Sequence, residues 1–242
     1  MSRWREPAGV AMTSTDETRR LLLISNSTLH GSGYLDHAEK EIRDCVGDRT
    51  GVIFIPFAVH DWRTYAAKAH ERFRDMGLAL TSVHDVSNMR RAIAEADVVF
   101  VGGGNTFRLL KALYDHDLLD PIRRRVAAGA PYIGSSAGSI VACPTLKTTK
   151  DMPVVQPPSF EALGLVSFQI SPHYLDPDPS STHMGETGGT HHAVPRGKRS
   201  AGSGFTRGLG SAFAGPSRNA EGAALRAYLS TRREACRGCA RL

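Results

Sequence analysis

The segment Gly134-Ser135-Ser136-Ala137-Gly138 follows the apolar run Pro131-Tyr132-Ile133 and precedes a helix-compatible stretch. This G-x-S-x-G arrangement between strand and helix is the pattern of a nucleophile elbow. Glycines two residues either side of the serine remove the Cβ atoms that would clash in a sharp turn, and the strained turn holds the Ser136 hydroxyl outward. The helix that starts at once aims free N–H groups at the same point, where they can stabilise an oxyanion. Ala137 N–H is the first such donor, and Gly102-Gly103-Gly104, after another apolar run, can bring up a second, from Gly104. Small residues in this pattern also suit close helix–sheet packing or a phosphate site, so catalysis requires a base. His173, in Gln169-Ile170-Ser171-Pro172-His173-Tyr174, follows a short apolar run read as a strand and so sits at a strand end. The other histidines lie in early loops and helices (His30, His37, His60, His70, His84), in polar connections (His116, His183) or near the C-terminus (His191, His192). Asp151, between the serine and the histidine in sequence, is the candidate third member of a nucleophile–base–acid set, and it equally suits a solvated turn or a helix cap.

These side chains need a scaffold that brings distant segments together. Leu21-Leu22-Leu23-Ile24-Ser25, Gly51 to Phe57, a weaker run from Leu78 to Val83, Asp97 to Val101 and Pro131 to Ile133 read as strands, several apolar without alternation as a sheet covered on both faces requires. Helical patterns lie between them, at about Leu35 to Val46, Trp62 to Met76, Asn88 to Glu95, and Thr106 to Ala128 with a break near Asp117. Strands separated by helices of this length predict an α/β fold with a mostly parallel sheet and helices on both faces. Ligands then bind beyond the carboxyl ends of the strands, where both Gly102-Gly103-Gly104 and Ser136 fall.

The chain has 242 residues, enough for one substantial domain. No apolar run approaches the ~20 residues that cross a bilayer, and the first 18 residues lack a signal-peptide block, which predicts no membrane partner and a cytoplasmic address. Residues 1–18 read as a disordered extension with a second methionine at Met12, residues 19–187 as the α/β domain, and residues 188–242 as a basic, Gly/Arg-rich tail. That tail holds ten basic residues against Glu221 and Glu234, more positive charge than the whole chain's net +6, so the body is slightly negative and no nucleic-acid partner is expected for it. Gly222 to Arg233 could form a short helix. The four cysteines, Cys45, Cys143, Cys236 and Cys239, are too few and too scattered for a disulfide framework and read as thiols. Cys236-Arg237-Gly238-Cys239 is only half of a four-ligand zinc site, so no metal is expected.

Taken together, Val101-Gly102-Gly103-Gly104-Asn105-Thr106-Phe107, Tyr132-Ile133-Gly134-Ser135-Ser136-Ala137-Gly138, and Thr148-Thr149-Lys150-Asp151-Met152-Pro153 continuing to Ser171-Pro172-His173 resemble the α-aspartyl dipeptidase (peptidase E) family of serine peptidases. Leu23-Ile24-Ser25-Asn26-Ser27-Thr28 and Phe54-Ile55-Pro56-Phe57-Ala58 resemble it too, so the likeness covers about residues 20–187. The resemblance implies a class I glutamine-amidotransferase-like (flavodoxin-like) three-layer sandwich and cofactor-free hydrolysis of dipeptides with an N-terminal aspartate. It assigns Ser136 as nucleophile, His173 as base, Asp151 as relay acid, and Gly104 with Ala137 as oxyanion donors. In the family the motif beginning Gly185-Glu186-Thr187 continues with an arginine thought to pair with the substrate's aspartyl carboxylate, whereas this chain has Gly188. A later glutamate and the closing strands are not recognisable in residues 188–242, and the abrupt changeover resembles alternative splicing or a reading-frame change. The expectation is a dipeptidase with an incomplete C-terminal part, impaired in activity and low in stability; the alternative is a catalytically inactive relative that binds a ligand or regulates.

Overall fold

The computed structural model describes residues 19–173 and the short strand Ala227–Tyr228. In chain order the elements are β1 (Leu21–Ile24), α1 (Glu39–Val46), β2 (Gly51–Ile55), α2 (Trp62–Asp75), β3 (Ala79–Ser82), α3 (Met89–Glu95), β4 (Val98–Val101), α4 (Thr106–Asp115), α5 (Leu119–Ala127), β5 (Tyr132–Ser135), α6 (Ala137–Val141) and β6 (Ala227–Tyr228). They follow the pattern of the sequence closely because each boundary has a local cause. Asp61, Asn88 and Asn105 accept hydrogen bonds from the main chain three residues on and so start α2, α3 and α4. Asp117, with φ of 53°, breaks the long helical pattern into α4 and α5.

The strands order as β3-β2-β4-β5-β1-β6, the first five parallel and β6 antiparallel to β1. Strands β1, β4 and β5 are buried along their whole length, which is why they read as uninterrupted apolar runs, whereas the edge strand β3 alternates between exposed and buried. Successive side chains of one strand enter opposite cores. Leu21 and Leu23 pack with Val99, Val101 and Tyr132 among residues of α3 to α6, including Ile93, Leu109, Ile122 and Ile140. Leu22 and Ile24 pack with Phe54, Phe100 and Ile133 against Ile42 and Val46 of α1 and Ala69 and Phe73 of α2. Phe100 stacks between Phe54 and Phe73, with ring centroids 4.9 and 5.0 Å away. Two covered faces make the expected three layers.

The register Val101↔Gly134 and Ile24↔Ser135 brings the carboxyl ends of β4, β5 and β1 side by side. The carboxyl end of the sheet therefore collects three chain segments that are far apart in sequence.

Three local readings change. Asp36–Ala38 is a single 3-10 turn ahead of α1 instead of the start of that helix, with Leu35 in the left-handed region at φ 60°. Residues 142–173 form no strand leading to His173; a lone bridge, Thr145↔Glu161, is the ladder bonding of this segment. Proline at 172 removes a main-chain donor, and the Ile170 carbonyl is taken by the Thr148 hydroxyl at 2.6 Å instead of by a neighbouring strand. Ala227–Tyr228 is a strand on the open edge of β1, where the sequence suggested a helix, because sheet pairing overrides local helix preference. The expected N-terminal extension, the C-x-x-C pair and the rest of the basic tail lie outside the described residues. Among the described residues no helix is long and apolar enough to cross a membrane, and no cluster of His, Cys, Asp and Glu could hold a metal ion.

Candidate active site

Ser136 sits between β5 and α6 with φ 51° and ψ −109°, a backbone region costly for a residue with a side chain. The surrounding main chain holds it there. Ser136 N donates to Ile24 O at 2.9 Å, and Ser139 N and Ile140 N donate to Ser136 O at 2.8 and 3.1 Å. The Ser139 hydroxyl lies 2.8 Å from Ile24 O and 2.9 Å from Gly134 O, and buried Tyr132 donates its hydroxyl to Gly138 O at 2.6 Å. The flanking glycines are a packing demand. A Cβ on Gly134 would lie 2.6 Å from Gly138 O, and one on Gly138 would lie 2.2 Å from Val101 O.

The loop after β4 abuts this elbow: a Cβ on Gly103 would lie 3.1 Å from Ser136 Cβ. Its N–H groups are largely engaged, Gly102 N with Ile55 O at 3.1 Å, Gly103 N with Tyr65 Oη at 2.9 Å, and Asn105 N with Ala58 O at 2.8 Å. Gly104 N–H and Ala137 N–H make no hydrogen bond among the described residues. Gly104 has φ 136°, and a Cβ there would lie 2.5 Å from Ala58 O, so glycine is required at this point for both conformation and space. Tyr65 wedges under the loop from α2. Burial raises the pKa of its hydroxyl, so it stays neutral, accepting from Gly103 N and meeting the Tyr34 hydroxyl at 3.2 Å.

His173 reaches the serine from the irregular segment: its Nε2 lies 2.9 Å from Ser136 Oγ. Its backbone, at φ 61°, is held by a hydrogen bond from His173 N to Ser25 Oγ at 2.8 Å, and its Nδ1 contacts Asn26 Oδ1. Ser25 and Asn26 lie just past the carboxyl end of β1, next to β5 in the sheet.

Asp151 is bonded at the start of α4. Its Oδ2 accepts from Thr106 N and Thr106 Oγ1, both at 2.6 Å, and Thr149 Oγ1 lies 3.1 Å from Thr106 Oγ1. The carboxylate thus caps α4, satisfying an N–H that a helix start leaves open and opposing the positive end of the helix dipole. Among the described residues no hydrogen bond or ion pair joins it to His173. Cys143, close behind the elbow, is buried, which pushes its thiol up to about 11 and keeps it protonated at neutral pH, a poor rival nucleophile.

Of the residues singled out in the sequence, the structure therefore gathers Ser136, His173, Gly104 and Ala137 at the carboxyl end of the sheet and places Asp151 at the neighbouring helix start. Sequence reasoning passed over Asn26, Ser25 and Tyr65. The polar triplet Asn26-Ser27-Thr28 ending a buried strand was the available signal for the first.

With this geometry in place, similarity to known proteins is informative. The sequence model of peptidase family S51 matches residues 21–197. The chain belongs to that family. The S51 match runs past Gly188, the changeover point read from the sequence, and S51 membership makes the chain a serine peptidase. Peptidase E of Streptomyces coelicolor is 52% identical over 167 residues, 69% of this chain and 69% of that protein. A Drosophila melanogaster protein named probable alpha-aspartyl dipeptidase is 49% identical over 172 residues, 70% of this chain and 72% of the relative. In structure, a Listeria monocytogenes protein assigned to peptidase E superposes with a TM-score of 0.51 at 24% identity, covering 62% of this chain and 77% of the other, which places the S51 chain in the same fold.

Proposed function

We propose that this S51 peptidase hydrolyses dipeptides with an N-terminal aspartate through a covalent acyl-enzyme on Ser136. His173 Nε2 takes the hydroxyl proton as Ser136 Oγ attacks the scissile carbonyl, and the oxyanion is held by Gly104 N–H and Ala137 N–H. The tetrahedral intermediate collapses as His173 returns the proton to the leaving amine, and water activated by the same imidazole then releases aspartate. Asp151 contributes by fixing the start of α4 and with it the adjoining Gly102-Gly103-Gly104 loop.

The observation that carries this reading is the 2.9 Å approach of the base to a serine held in a strained elbow, beside two N–H groups without partners among the described residues. The substrate class rests on the relatives, one of which is named for aspartyl dipeptides. Gly188, where the family pattern carries an arginine for the aspartyl carboxylate, predicts turnover below that of relatives that retain it.

A fluorophosphonate probe and a panel of Asp-Xaa dipeptides test the proposal together. The expected result is labelling at Ser136 that disappears in Ser136→Ala, with Asp-Xaa cleavage lost by a factor on the order of 10⁶. Labelling with cleavage of other dipeptides but none of the aspartyl ones would overturn the substrate class. Absence of both labelling and cleavage would favour the catalytically inactive, ligand-binding alternative.

A further inference from the structure

We infer that Asn26 is the residue that positions His173, fixing its tautomer with a neutral amide where a serine hydrolase ordinarily uses a carboxylate. The inference rests on Ser136 and His173 acting as proposed above and assigns them an orienting partner.

A general base must present an unprotonated Nε2 to the serine, which places the ring proton on Nδ1. Free imidazole has no such requirement built in, so the group facing Nδ1 decides the tautomer. That group is Asn26 Oδ1, an amide carbonyl oxygen, which accepts a hydrogen bond and cannot donate one. An acceptor at Nδ1 and the Ser136 hydroxyl at Nε2 fix the ring at both nitrogens, and the Ser25 hydroxyl fixes the main chain at His173 N. Ser25, Asn26 and Ser136 are all uncharged. Among the described residues no carboxylate, guanidinium or ammonium group is hydrogen-bonded to or ion-paired with the ring, and Asp151, the acid named from the sequence, is committed to Thr106.

The position of Asn26 is set by the fold. It follows β1 directly, and β1 pairs with β5 in the register Ile24↔Ser135, so residue 26 is delivered to the elbow by the sheet. Ser136 N also donates to Ile24 O, tying the nucleophile's backbone to the same strand that supplies the positioning amide. A neutral partner has a chemical consequence. A carboxylate would stabilise the imidazolium that forms as the serine loses its proton, whereas an amide orients the ring without supplying that charge.

The test uses the full chain and two readouts. With ¹⁵N-labelled histidine, the His173 signals, assigned by their loss in His173→Ala, should show the Nδ1–H tautomer at neutral pH, and Asn26→Ala should move the ring toward Nε2–H, the form usual for an unconstrained imidazole. The rate of Ser136 labelling by the fluorophosphonate should fall roughly 10- to 100-fold in Asn26→Ala, the value of one hydrogen bond to a group that becomes charged. Asn26→Asp should restore the rate at high pH and move the acid limb of the labelling profile upward by about one pH unit or more, because a carboxylate favours the protonated ring. A His173 ring that is Nε2–H in the parent protein, or a tautomer unchanged in Asn26→Ala, overturns the inference whether or not the chain cleaves dipeptides. A parent protein with the Nδ1–H tautomer but an unlabelled Ser136 would instead contradict the proposed function and leave the positioning contact standing.

Discussion

Ser136 and His173, the proposed nucleophile and base, are held by different means. Around Ser136 the constraint comes from the main chain and the sheet: Ile24 O, Gly138 O and Val101 O enclose the elbow, and two glycines admit no Cβ. His173 ends the irregular stretch 142–173, in which residues 142–166 keep main-chain bonds such as Leu146 N to Phe160 O and Leu163 N to Val141 O, whereas residues 167–173 are anchored through side chains, among them Ser25, Asn26 and Thr148. Backbone bonds in a buried parallel sheet survive most substitutions, whereas side-chain anchors depend on residue identity. The difference teaches that stability and activity of this peptidase separate: damage to the elbow should unfold it, and damage to the anchors should slow it.

The largest expected effect sits at the elbow. Gly138→Ala would force a methyl group against the Val101 carbonyl and should destabilise the fold by about 3 kcal/mol, read as a lowered denaturant midpoint. An unchanged midpoint would show that α6 can slide on the sheet and that the elbow is less rigid than its contacts suggest.

A smaller effect is expected at the anchors. Asp151→Ala removes the acceptor for Thr106 N and Thr106 Oγ1 and should cost about 1–2 kcal/mol, as loss of a helix cap does. Asp151→Asn keeps an acceptor there and should lower kcat by less than about tenfold, against the ~10⁴-fold fall that accompanies the same change in a triad aspartate. A drop of that larger size would return Asp151 to the role of relay acid.

The smallest effect concerns the two buried thiols, one in each core. Burial pushes Cys45 up to about 12 and Cys143 up to about 11 from an ordinary value of 9.0. The folded state keeps these protons longer than the unfolded chain, so the stabilisation is complete below about pH 9 and is lost as pH rises toward 11 and 12. The thermal midpoint should fall over that range, and the slope should lessen in Cys143→Ala. An identical slope in the variant would assign the alkaline loss to other groups.

Much of this arrangement was legible in the residues, for reasons that differ along the chain. The strands were readable because burial on both faces removes alternation, as in Val98–Val101, and the helices because Asn88 and Asn105 mark their starts. The elbow around Ser136 and Ala137 was legible because it is local, its glycines, strand and helix lying within a few positions, and the Gly102-Gly103-Gly104 turn because it directly follows the apolar run of β4. The partner of His173 could not, since Asn26 is distant in sequence and its relevance depends on β1 pairing with β5, a matter of strand order that no local pattern encodes. The reading of Asp151 rested on chain order. Its place between serine and histidine in the chain suggested a shared task, while the fold turns its carboxylate toward Thr106. The short strand Ala227–Tyr228 was hidden because its conformation is imposed by the edge of β1.

The segments that meet at the serine enter the chain in a fixed order. Ser25 and Asn26 come first, the elbow near the middle and His173 last among them. As a chain emerges from the ribosome, the sheet strands that build the elbow are available before the base is. On the proposed mechanism, Ser136 is thus assembled before its proton acceptor, and the nascent protein would gain a reactive serine only once residue 173 has folded back onto the first strand.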